Sequence, residues 1–162
     1  MKRIMILIVA MVAILFSQSA LAQIRFHVGE PVITKVDEVQ NEGVAAAAFK
    51  IIPLQAYTVN SGGTPWAWWH LNEEFNLRAL FTVYGSGTYY TRIKVTDVKT
   101  GLFFRYPKEG PYNASEGVVK VITSTPIAAE GDPSFLPRQF IFTYEFKVGT
   151  TWKGVSTKVL FY

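Results

Sequence analysis

The 162-residue chain contains no cysteine. That excludes a disulfide scaffold, thiolate metal sites and any thiol nucleophile. Histidine is nearly missing as well. His27 and His70 are the only two, and they lie too far apart in sequence for ligand spacing, so an ordinary zinc site is excluded. There is no Gly-x-Ser-x-Gly nucleophile elbow, no phosphate-cradling glycine loop and no run of lysines and arginines. Past residue 22 no helical period extends for ten residues.

Charge is also sparse. The first 22 residues hold Lys2 and Arg3 and no acid. Without them the 16 basic residues become 14 against 12 acidic ones, a net charge of +2. Such a balance does not point to nucleic acid.

What the chain has is an apolar start and many aromatics. Lys2 and Arg3 precede an apolar stretch from Ile4 to Phe16, and Ala20-Leu21-Ala22 has the small-x-small form of a cleavage site. Residues 1–22 are therefore expected to be a cleaved signal peptide, with one mature domain over 23–162. The alternative is a retained anchor, but 13 apolar residues fall short of the roughly 20 that span a bilayer. No cysteine follows the site to carry a lipid.

Aromatic residues make up 15% of the chain. They recur with period two, which marks strands with one buried face. Over 75–84, Phe75, Leu77, Ala79, Phe81 and Val83 alternate with Asn76, Arg78, Leu80, Thr82 and Tyr84. Gly85-Ser86-Gly87 is expected to turn the chain into a hairpin with a second strand over 88–97, where Ile93 and Val95 alternate with Arg92, Lys94 and Thr96. A turn at 98–101 leads to a short strand over 102–106. Shorter strands are expected at 24–28, 31–39, 46–52, 54–59 and 118–123, with 44–50 open between helix and strand. Residues 60–65, 107–117 and 126–137 are expected as loops from their Gly, Pro, Asn and Ser content. The chain ends in a long hairpin, 138–148 and 152–162, turning at 149–151.

Together these give an all-β fold: a single β-sandwich of immunoglobulin or fibronectin type III character, with about seven to nine antiparallel strands. Its core is expected to include Leu77, Phe81, Val83, Ile93, Val95, Phe140, Phe142, Val159 and Phe161. A small outer-membrane barrel is the lesser alternative. Counting back from Tyr162, the apolar band on that face fails at Lys158.

Candidate chemistry is thin. His70 with Glu73 or Glu74 and a serine could be drawn as a triad, but nothing in the local sequence supports it. Glu130-Gly131-Asp132 offers oxygen ligands without the repeated pattern of a calcium loop. No catalytic residue, metal site or cofactor is assigned. Asn113-Ala114-Ser115 has the form of a glycosylation acceptor and carries no weight without a known host.

Two surfaces stand out. In Trp66-Ala67-Trp68-Trp69-His70, extended backbone would put Trp66 and Trp68 on one face and Trp69 on the other. The cluster is either a binding platform, for glycan or for apolar peptide, or a cap on the core. In the final hairpin, Ile141, Trp152, Leu160 and Tyr162 fall on the face opposite the expected core. That marks either an interface or a surface covered by residues 126–137. The expected function is a non-catalytic exported module acting in binding or assembly, in the periplasm, at the cell surface or outside the cell. Its partner would be a protein, or a second copy joined through strand edges. Carbohydrate binding through Trp66, Trp68 and Trp69 is the alternative. Nucleic acid is not expected, and the membrane enters only through export.

Overall fold

The computed structural model describes residues 23–28 and 49–162. The expected signal peptide over 1–22, the strand over 31–39 and the undecided segment up to residue 48 lie outside the described residues.

The described residues are almost all β. The strands are β1 (Ile24–Val28), β2 (Lys50–Val59), β3 (Trp68–Trp69), β4 (Glu74–Tyr84), β5 (Gly87–Asp97), β6 (Phe103–Arg105), β7 (Glu109–Ala114), β8 (Gly117–Thr123), β9 (Ile127–Gly131), β10 (Arg138–Val148) and β11 (Thr151–Phe161), with one 3₁₀ turn at Pro133–Phe135. They form two sheets. One has the order β1-β9-β4-β2, with β8 also paired to β4. The other has the order β3-β11-β10-β5-β6, with β7 also paired to β5.

Both sheets are mixed, which corrects the purely antiparallel expectation. β1 runs parallel to β9, and β3 runs parallel to β11. The count also exceeds seven to nine, because β7 and β9 lie in stretches expected as loops. β7 contains Gly110 and Pro111, residues that argue against a strand but are tolerated at a sheet edge. β9 is Ile127-Ala128-Ala129-Glu130-Gly131, too short and too small in its side chains to show a period. β2 is one strand rather than two. Pro53 cannot donate to the ladder, and the register shifts between Pro53 and Gln55 to accommodate it. The described strands form two sheets.

The alternations in β4, β5, β10 and β11 set the inward faces. All nine residues expected in the core are buried. They are joined by Phe26, Phe75, Tyr89, Tyr144 and Phe146 among others. Rings from the two sheets meet directly. Phe26 on β1 lies 5.2 Å from Phe140, 5.5 Å from Phe142 and 5.4 Å from Phe161, edge to face in each case. Phe75 on β4 meets Phe142 at 5.5 Å. Such edge-on pairs suit the ring quadrupole.

The turn at Gly85-Ser86 does not make the expected hairpin. β4 and β5 belong to different sheets, so the turn is a corner that carries the chain from one sheet to the other. The buried faces of the two strands look at each other across the core, with Phe81 and Tyr89 5.9 Å apart. Gly85, at φ +72, permits the sharp reversal. The hairpin expected between β10 and β11 is present in full register from Arg138↔Phe161 to Val148↔Thr151.

Candidate functional site: an aromatic surface beside β3

The segment leaving β2 first folds back on itself. The Asn60 main-chain carbonyl accepts from Gly63 N at 2.9 Å, and its side chain accepts from Thr64 N at 2.9 Å. Trp66 N then donates to Thr58 O at 2.9 Å. From there the chain crosses to the other sheet, where Leu160 N donates to Ala67 O at 3.1 Å and Tyr162 N to Trp69 O at 3.2 Å. β3 thereby becomes, among the described residues, the outer strand beside β11, with Trp68 opposite Leu160 and Trp69 opposite Phe161.

Extended backbone divides the tryptophans. Trp69 turns inward and is 1% exposed. It stacks on Phe75 at 5.0 Å and 18°, and its indole N–H donates to Thr58 Oγ1 at 3.2 Å. Trp69 is thus a core residue and does not belong to the binding surface expected of it. Trp66 and Trp68 turn outward and remain 42% and 39% exposed. Their rings lie 4.6 Å apart, tilted by 60°.

The outward tryptophans meet the end of the final hairpin. Trp68 lies 5.0 Å from the Tyr162 ring, and His70 lies 4.6 Å from the same ring. His70 Nδ1 donates to the Tyr162 main-chain oxygen at 2.8 Å, and Glu73 Oε2 accepts from His70 N at 3.0 Å. The hydrogen bonds of His70 serve to hold two chain segments together, and among the described residues no serine is bonded to it. Desolvation among these rings raises the Tyr162 phenol above its ordinary pKa, and the Glu73 carboxylate adds to the rise. Leu160 borders the patch and is exposed, as is Tyr162. Residues 126–137 therefore do not cover them.

Two candidate surfaces drawn apart in the sequence are thus largely one. Trp66, Trp68, His70, Leu160 and Tyr162 are together, and the pairing that joins them spans 92 residues of chain. No local pattern signals such a parallel pairing. Trp152 and Ile141 stand outside the patch. Trp152 sits near the β10–β11 turn, opposite Lys147, with the Arg92 guanidinium 3.8 Å above its ring. Arg92 in turn donates to Glu145 Oε2 at 2.5 Å, and Arg105 to the same oxygen at 3.1 Å. The indole is thereby one layer of a paired ionic cluster. Ile141 is half-buried, opposite Lys158.

The two acids considered for calcium have other partners. Glu130 pairs with Arg25, and Asp132 Oδ1 accepts from Ser134 N at 2.8 Å to cap the 3₁₀ turn. No group of three or more potential metal ligands occurs among the described residues. No protein-family profile matches the chain, and no curated protein matches it.

Proposed function

We propose that the chain is an exported, non-catalytic β-sandwich of immunoglobulin or fibronectin type III character that binds a protein partner, or a second copy of itself, through the Trp66–Trp68–Tyr162 surface. One observation carries this reading: three rings and Leu160 converge in the open beside the outer strand of a sheet. Exposed apolar clusters of this kind mark contact sites, and an outer strand offers main-chain groups for a further strand to pair with. The sandwich reading is supported by two facing sheets that share one aromatic core. Export is supported by the basic start, the apolar stretch and Ala20-Leu21-Ala22.

Glycan binding ranks second. It keeps Trp66 and Trp68 but loses Trp69. The 60° tilt between the two outward rings also leaves no flat face shared by both for a sugar chain to lie along.

Sedimentation of the secreted chain tests the first reading. Wild type should self-associate, or retain a protein from its native extract, and Trp68→Ser combined with Tyr162→Ser should abolish this with little change in Tm. Retention on polysaccharide instead would move the assignment to the second reading. A strictly monomeric wild type that captures nothing would overturn both. The exported material should begin at or near Gln23 by mass spectrometry, and an intact Met1 would defeat export with cleavage.

A further inference from the structure

A second feature lies at the end of the molecule where β2 begins and β10 turns into β11. There the two sheets part around a cavity of about 210 Å³, lined by Phe49, Lys50, Ile51, Phe146, Val148, Thr151 and Lys153. Ile51 and Phe146 are core residues, 2% and 1% exposed. Phe49 forms one wall. Its ring rests on Gly87, where a Cβ would approach Cδ1 to 2.6 Å, so only glycine leaves room for it.

Lys153 is unusual in its place. It pairs with Phe146 and shares the parity of Val155, Val159 and Phe161 on β11, but at the open end of the strand, where it is exposed. An apolar residue would be expected there. Lys50 stands at the same opening, and neither lysine makes an ion pair among the described residues. The site therefore combines apolar walls with two cations at its mouth that have no ion-pair partner among the described residues.

We infer that this cavity binds a small amphiphilic carboxylate, its apolar tail between the sheets and its anionic head at Lys153 and Lys50. The chemistry follows from charge complementarity, since both charged side chains that line the cavity, Lys50 and Lys153, are positive. Size follows from volume. A dry cavity of about 150 Å³ holds a benzene ring, so by proportion this one takes roughly eight carbons. Burying each methylene is worth about 0.8 kcal/mol, which makes the tail the main source of affinity and the head the source of selectivity. This inference is independent of the aromatic surface beside β3, which lies on another part of the molecule and contains none of these residues.

Octanoate, octan-1-ol and octyltrimethylammonium are suitable probes, titrated into the mature chain while methyl resonances of Ile51 and Val148 are followed by NMR. Octanoate should bind saturably and shift both. Lys153→Met should weaken octanoate by about two- to fivefold, within the range for exposed ion pairs, and leave octanol unchanged. High salt should have the same selective effect. Val148→Phe, which fills the space, should abolish binding of all three while the Tm shows the fold intact. Equal binding of the three probes would overturn the proposal and leave Lys153 as a charge that guards the part of β11 with which β3 does not pair. So would the absence of saturable shifts, or shifts centred on Trp66 and Trp68.

Discussion

Asp97 and Arg138 illustrate how single residues tie the sheet together. Asp97 is 6% exposed at the end of β5. Arg138, at the start of β10, donates to it through Nε at 3.1 Å and through a second, shorter contact. Lys99 N adds a hydrogen bond at 2.9 Å. Desolvation is the largest single influence on this carboxyl and pushes its pKa up. The hydrogen bonds from Arg138, Lys99 and Thr100, with the charge of Arg138, together outweigh it and hold the pKa below the ordinary 3.8. A carboxyl whose folded pKa is depressed contributes stability that is fully present above its unfolded value and is lost as pH falls through the folded one. Asp97→Asn should therefore destabilise the domain by an amount that is constant from pH 5 to 7 and shrinks below about pH 4. Thermal melts of both proteins across that range would check it. A gap that does not change with pH would mean the carboxylate charge is not what matters at this position.

Among the elements, β1 is a short strand carried by one neighbour. Among the described residues it pairs only with β9, in parallel, from Ile24↔Ile127 to Val28↔Gly131. Gly131 adopts φ +143, and a Cβ there would stand 2.3 Å from Val28 O. Gly131→Ala thus combines backbone strain of about 1–3 kcal/mol with a clash against the strand it supports. It should loosen β1 selectively, and Phe26 with it. Hydrogen exchange should accelerate across residues 24–28 while the β10–β11 ladder keeps its protection. Unchanged exchange in β1 would show that another contact secures it. The same scale explains what could be read from the sequence. β4, β5, β10 and β11 were legible because each alternates for ten residues or so with one face buried. The pairing of β10 with β11 was legible because a short turn leaves little other choice. The corner at Gly85 was not, since a hairpin and a crossing between sheets require the same turn residues. β1–β9 and β3–β11 were not, because parallel partners lie far apart in sequence and leave no mark on either strand. The outward direction of Trp66 and Trp68 could be anticipated from period two, but their meeting with Leu160 and Tyr162 could not.

At the scale of the whole molecule, the two sheets are held by the rings between them rather than by a shared ladder. Phe142 is central to this. It lies on β10, is fully buried, and touches Phe26 on β1 and Phe75 on β4, so one ring joins the second sheet to two strands of the first. The chain has no disulfide to limit the unfolded state, so stability rests on burial of this kind. Truncating a buried Phe to Ala removes its transfer free energy and leaves a cavity, at a combined cost of roughly 3–5 kcal/mol. Small domains commonly keep only 5–15 kcal/mol in total, so Phe142→Ala should consume a large share of the margin. Because the ring contacts both sheets, the loss should lower the stability of the domain as a unit. Denaturant unfolding should shift to a lower midpoint with the slope preserved, and tryptophan fluorescence and far-UV dichroism should move together. A midpoint close to wild type would show that the sheets adhere through other contacts. Separate transitions for the two probes would mean that the sheets unfold independently and that Phe142 does not link them.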